Sequence, residues 1–218
     1  MSYKVVIFGA SGLIGSNLTS DLLKSEEISS ILSVSRKGLG ISHEKLTEIV
    51  VDFDDLTMYF PEIKGDVIYS CLGTTKSETP NAELYRKIDF FYPLAIARAA
   101  FDNKVSQFHV VSSLGANSRS SSSYLKLKGE LEDNLKVIGF KSLHIYRPSY
   151  LMGNRTTTRI VDKILVPLIT LIKPLLIGSL KQYRGISASK VSKTMLNQTL
   201  KDLKGTFTYS STAIQELA

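Results

Sequence analysis

Tyr124 and Lys128 stand four residues apart, so a helix would set both on one face. Ser113 lies shortly before them, at the end of an apolar run. Together these three residue types can interconvert a carbonyl and an alcohol. The tyrosine must give a proton to the developing alkoxide, yet a free phenol titrates near pH 10. An ammonium about 4 Å away favours the phenolate by about 4 kcal/mol at an effective dielectric near 20. That makes the phenol a workable general acid near neutral pH. The Ser113 hydroxyl can hydrogen-bond the substrate oxygen as charge builds on it. A tyrosine and lysine at this spacing also occur by chance, as a surface helix with a snorkelling lysine. The rest of the chain must decide between the two readings.

Upstream, Gly9-Ala10-Ser11-Gly12-Leu13-Ile14-Gly15 follows the first apolar run and opens the first amphipathic one. In that position Gly9 permits a tight turn, Gly12 lets a pyrophosphate approach the backbone, and Gly15 lets helix and strand pack closely. The helix N-terminus then offers free N–H groups and a positive dipole end to phosphates. The second glycine follows the first by three positions, not by the two of the simple dehydrogenase fingerprint. A nicotinamide dinucleotide is the cofactor implied. An NAD site usually carries a carboxylate at the end of strand two. Here that position reads Val34-Ser35-Arg36-Lys37, which favours NADP(H), with Arg36 and Lys37 on the 2′-phosphate; solvated loop cations are the alternative. Asp52 is placed to bond the adenine amino group, and Phe53 to lie beside the ring.

The elements needed to position these groups alternate regularly. Strands are expected at Tyr3–Phe8, Ile28–Val34, Thr47–Val51, Asp66–Cys71, Gln107–Val111, Ser142–Tyr146 and Gly205–Tyr209. Helices are expected from Leu13 to Leu23, Ala82 to Phe101 and Tyr124 to Val137, with further helical segments from about Thr158 to Leu200. This alternation predicts an α/β fold: a doubly wound parallel sheet of Rossmann type with ligands at the strand C-termini. One domain over residues 1–218 is expected, with residues 150–200 as a short helical portion on the substrate side.

Composition narrows the function class. The formal charge is +7, but the basic residues are dispersed, so no nucleic-acid partner is expected. The stretch Ile160 to Leu180 is apolar but holds Asp162, Lys163, Lys173 and two prolines, so no integral membrane span is expected. A pocket wall, a dimer contact and a peripheral membrane contact all stay open for it. Cys71 is the only cysteine, which excludes an intrachain disulfide and makes a cytoplasmic location the expectation. With no carboxylate–histidine cluster, no metal site is expected. Arg155 and Arg159 fit either anion binding or solvent.

Val5 to Leu18, Val50 to Phe53, Cys71 to Lys76, Val111 to Ala116, Tyr124 to Glu132 and Tyr146-Arg147-Pro148 follow one another in a familiar order. In these stretches the chain resembles the atypical short-chain dehydrogenase/reductases, and among them the Tat-interacting-protein (metastasis-suppressor) group of NADPH-binding oxidoreductases. The resemblance implies that Gly9, Ser11, Gly12, Leu13, Ile14 and Gly15 hold the pyrophosphate. It implies that Cys71, Leu72, Gly73 and Thr74 flank the adenosine ribose, and that Tyr124 and Lys128 meet the nicotinamide ribose. Pro148 to Leu151, including Tyr150, would pass beside the nicotinamide ring. Ser113, Tyr124 and Lys128 take the catalytic places. The expected activity is an NADP(H)-dependent oxidoreductase on a small carbonyl or alcohol, working as a monomer or homodimer. A nucleotide-sugar epimerase or dehydratase and a non-enzymatic NADPH-binding regulator are the rival readings.

Overall fold

Val5 to Phe8 show no polar alternation because they are buried on both faces, and Tyr3–Phe8 forms β1 in the interior of the sheet. The structure, a computed structural model, describes residues 2–153 and 178–218. Helix α1 (Leu13–Lys24) returns the chain to β2 (Ile28–Ser35), and β3 (Leu46–Val50) follows at the sheet edge. A kinked 3₁₀ segment, Phe53–Glu62, leads to β4 (Val67–Ser70) on the other side of β1. Next come α2 (Ala82–Arg86), a π-helical turn (Lys87–Phe91) and α3 (Tyr92–Asp102), which run on as the one long helix expected from Ala82. Strand β5 (Gln107–Val111), helix α4 (Ser123–Ile138) and strand β6 (Ser142–Arg147) complete the part that carries Ser113, Tyr124 and Lys128.

The expectation of helical segments up to Leu200 is corrected over its described part. The chain there forms a 3₁₀ turn (Gly178–Tyr183) and a short strand β8 (Ile186–Ser187), which pairs in parallel with β7 (Leu151–Met152). Only then does helix α5 (Ala188–Leu200) begin, capped by the Ser187 hydroxyl. Strand β9 (Gly205–Ser210) and helix α6 (Ser211–Leu217) end the described chain. Arg155, Arg159 and most of the apolar stretch from Ile160 lie outside the described residues.

The sheet runs β3-β2-β1-β4-β5-β6-β9, and every pairing in it is parallel. This is the expected doubly wound, Rossmann-type single domain, extended by β9 at the far edge. Successive strand residues face opposite layers. Val6 and Phe8 join Ile96, Phe108, Leu131 and Ile145 in the core beneath α3 and α4. Val5 and Ile7 join Leu18, Leu22, Val191 and Met195 in the core beneath α1 and α5. From β1 the chain winds towards β3, and from β4 it winds towards β9. The loops after β1 and β4 therefore diverge and open a crevice at the strand C-termini.

Candidate active site

The crevice is shaped first by glycine. Gly9 turns the chain out of β1 at φ +81°, and a Cβ there would lie 2.8 Å from the Cys71 carbonyl group on the neighbouring loop. At Gly15 a Cβ would lie 2.0 Å from the Gly9 oxygen, so only glycine lets α1 seat against the turn. Gly12 caps α1 in an extended conformation; no side chain bonds the cap, and the first turn holds no acidic residue. The leading N–H groups of α1 thus meet neither a capping oxygen nor a carboxylate, which fits a bound phosphate.

One cavity of about 1330 Å³ runs from this turn across the sheet edge. Its walls include Ser11, Gly12, Leu13 and Ile14 from the glycine loop, Cys71 to Thr75 after β4, and Ser113 after β5. Tyr124 and Lys128 enter from α4, and Pro148 to Leu151 follow β6. The volume exceeds the few hundred to about 1,000 Å³ of single small-molecule sites, leaving room for a dinucleotide and a substrate together. Gly9 and Gly15 support this wall from behind. Arg36, Lys37 and Asp52 are exposed beyond it, at the ends of β2 and β3. Asp52 caps the 3₁₀ segment through the Asp54 N–H at 3.0 Å. Phe53 is corrected from a wall of the adenine site to a core residue: it is 6% exposed and packs against Phe8 and Tyr92.

Two ion pairs, each with a buried carboxylate, organise the side of the cavity that carries Lys128. In the first, the Lys128 ammonium lies 2.7 Å from Asp89 Oδ1, with both side chains almost wholly buried. Asp89 Oδ2 accepts the Thr74 N–H at 2.9 Å, which ties the loop after β4 to Lys128. Burial pulls the Lys128 pKa down, but the Asp89 carboxylate, helped by Tyr124 and Glu132, outweighs it and leaves the ammonium more stable than in water. In the second pair, Arg147 at the end of β6 grips buried Glu132 of α4 through Nε at 2.9 Å and a terminal nitrogen at 2.5 Å. The Ser112 hydroxyl donates to the same Glu132 at 2.5 Å. The end of β5, the middle of α4 and the end of β6 are therefore clamped beside Ser113. Cys71 is a wall residue whose thiol burial pushes up to about 12, far from a reactive thiolate.

Sequence reasoning missed Asp89 and Glu132 as site residues. Both left a signal. Asp89 falls four residues after Tyr85 and one before Phe90, on the otherwise apolar inward face of this helix. Glu132 falls four residues after Lys128 in the stripe Leu127, Lys128, Leu131, Leu135. A carboxylate at a core position needs a buried cation, and Lys128 and Arg147 are those cations.

Residues 5–215 match a family model described as the NAD dependent epimerase/dehydratase family. The protein FMP52, mitochondrial, of Candida albicans is 34% identical over 154 residues, which are 68% of this chain and 67% of that protein. Protein HTATIP2 of Rattus norvegicus is 34% identical over 159 residues, 71% of this chain and 65% of that one. These findings bear out the resemblance to atypical short-chain enzymes. The solved enzyme WbmH of Bordetella bronchiseptica, in complex with NAD+, superposes with a TM-score of 0.71 at 18% identity, over 99% of this chain and 79% of that chain. That likeness concerns the fold. The relatives named as mitochondrial overturn the expectation of a cytoplasmic location, because a single reduced cysteine suits several reducing compartments alike.

Proposed function

This chain belongs to the NAD dependent epimerase/dehydratase family, and from that premise we propose that it is an NADP(H)-dependent oxidoreductase acting on a carbonyl/alcohol pair. The observation that carries the reading is the placement of Ser113, Tyr124 and Lys128 on the same cavity as the glycine loop. The leading N–H groups of α1 hold the pyrophosphate, Leu72 to Thr74 flank the adenosine ribose, and Pro148 to Leu151 lie along the nicotinamide side. When bound, the nicotinamide supplies a hydride to the carbonyl carbon or takes it back. Ser113 donates a hydrogen bond to the substrate oxygen, and Tyr124 delivers the proton as charge builds there. Lys128 holds the ribose and steadies the phenolate that Tyr124 leaves behind. Arg36 and Lys37 enter no ion pair among the described residues, so both are available to a 2′-phosphate.

Two assays test this. Purified protein with NADPH should reduce at least one member of a broad carbonyl panel, and Tyr124→Phe should lower that rate by about 10²-fold or more. No turnover in the panel, or an unchanged rate in Tyr124→Phe, would remove the reading. Fluorescence titration should show NADPH binding more tightly than NADH, with a loss of about tenfold in NADPH affinity for Arg36→Ala. Equal affinities in the parent protein would remove the preference for NADP(H). The family description favours a second reading, an epimerase or dehydratase of nucleotide sugars. NAD retained through purification, with turnover of a nucleotide sugar, would select it.

A further inference from the structure

We propose that the far end of the cavity, beyond Ser113 and Tyr124, takes a short hydroxylated carbonyl compound, held through its hydroxyl groups by Thr208, Ser210, Gln182 and Arg147. The proposal rests on the oxidoreductase reading above and adds its substrate class.

Strand order carries the first step. The glycine loop follows β1, Ser113 follows β5, and β6 and β9 lie further along the same edge. Neighbouring strands are about 4.8 Å apart, so β9 stands about 10 Å beyond β5. A dinucleotide with its pyrophosphate on the glycine loop and its nicotinamide beside Ser113 and Tyr124 fills the cavity as far as β5. The cavity continues past that point, to Arg147 on β6, Thr208 and Ser210 on β9, and Gln182 and Tyr183 on the 3₁₀ turn. That end is left for the substrate.

Strand geometry explains why hydroxyls line it. Phe207 and Tyr209 pack into the cluster beneath α1 and α5, so Thr208 and Ser210 point to the opposite face. On that face Ile145, paired with Thr208, is buried in the cluster beneath α3 and α4. Arg147, paired with Ser210, reaches Glu132 of α4. Thr208 itself stays exposed at the edge of the sheet.

The polar groups at this end are available to a ligand. No hydrogen bond among the described residues uses the side chains of Gln182, Tyr183 or Thr208. Ser210 accepts the Ala213 N–H at 3.2 Å and keeps its own O–H to donate. Arg147 gives Nε and one terminal nitrogen to Glu132, which leaves the other terminal nitrogen. Hydroxyl and amide groups both donate and accept, as the hydroxyls of a ligand do. A carboxylate or phosphate would need an uncompensated cation. Arg147 is the cation on this part of the wall among the described residues, and Glu132 already compensates it. An alkyl chain would remove water from these groups and offer no hydrogen bond in return.

The reacting carbonyl stays at Ser113 and Tyr124. Its carbon gains a hydride with the electron pair from the reduced nicotinamide, the C=O π bond breaks, and the oxygen gains a proton. A hydroxyaldehyde therefore leaves as a polyol.

Erythrose and butanal, equal in carbon count, test the class. Each is supplied with NADPH to the full chain, and the ratio of their kcat/KM values is compared among the parent, Thr208→Val and Gln182→Leu. Differences in intrinsic reactivity between the aldehydes cancel in that comparison. The parent should favour erythrose by about tenfold or more, and each variant should lower the ratio about fivefold. Erythritol and 1-butanol, which NADPH cannot reduce, give a comparison independent of turnover, read from the fluorescence of bound NADPH. Erythritol should bind about tenfold more tightly, with the same losses in the variants. A preference for butanal and 1-butanol, or ratios unmoved in both variants, would overturn the proposal. So would a preference for pyruvate or for a nucleotide sugar over erythrose. A parent that reduces no carbonyl yet favours erythritol over 1-butanol would defeat the oxidoreductase reading and leave the binding site standing.

Discussion

Glu132 shows how one carboxylate can hold three chain segments. It accepts from Ser112 after β5 and from Arg147 at the end of β6, while α4 carries it. Its side chain is 1% exposed, against 30% for Arg147, so removing it leaves a half-buried guanidinium and a buried hydroxyl without their acceptor. Replacing one member of a buried pair costs more than the pair contributes, because the partner stays behind uncompensated. Glu132→Ala should lower stability by about 3 kcal/mol, read as a reduced urea midpoint with an unchanged slope. Arg147→Met should cost at least as much, because it leaves a carboxylate that is 1% exposed with the Ser112 hydroxyl as its remaining clamp partner, whereas the guanidinium left by Glu132→Ala is 30% exposed and can turn to water. The order of these two losses is the informative result. A much smaller loss for Arg147→Met would mean that the carboxylate takes up a proton when the guanidinium goes.

At the scale of elements, the strand–turn–helix unit separates folding from binding between two glycines. Gly15→Ala puts a methyl 2.0 Å from the Gly9 oxygen, a backbone atom that cannot step aside without moving β1 or α1. It should lower stability by about 2–4 kcal/mol, seen in thermal unfolding. Gly12→Ala meets only the Gly9 oxygen, at 3.2 Å, and should fold nearly as well as the parent. It should still weaken dinucleotide binding about tenfold or more, because its methyl fills the space where the pyrophosphate approaches the backbone. Local pattern was enough to expect this unit: an apolar run, a glycine turn and an amphipathic helix each leave a short-range mark. The helix over Tyr124 and Lys128 was legible for the same reason. The π-helical turn around Asp89 was not, since its extra residue shifts the hydrophobic period within a single turn, too short to stand out from the helices on either side. The β7–β8 ladder was also hidden, because two-residue strands have no period and depend on a distant partner. Phe53 was misplaced because a residue at a strand end looks the same whether it turns to the ligand or to the core.

Across the whole molecule, the sheet carries a polar seam that neither the cavity nor the apolar clusters require. His109 of β5 and His144 of β6 stack at 4.3 Å between ring centres, and Tyr146 and Tyr209 continue the stack on β6 and β9. The His109 ring meets the Tyr146 hydroxyl at 3.1 Å, and the His144 ring meets the Tyr209 hydroxyl at 2.9 Å. Tyr69 and Thr199 join from β4 and α5 at 2.6 Å. The two imidazoles are satisfied structural groups, and the seam gives them their partners. Burial lowers the pKa of His109 well below 6.5, reinforced by the neighbouring His144, and lowers that of His144 to about 4. Both rings are therefore neutral in the folded protein under conditions where an unfolded chain already binds protons. The unfolded state has more bound protons below pH 6.5, so stability falls as pH falls through that value and levels off only below the folded pKa values. His144 alone should remove about 2 kcal/mol between pH 7.5 and pH 5, and His109 should add to this. Urea midpoints measured across that range give the slope. The variant with both His109→Gln and His144→Gln should start less stable and show a flatter slope from pH 6.5 to pH 4.5. An unchanged slope would mean that carboxylates, and not the imidazole seam, govern the acid limit of this fold.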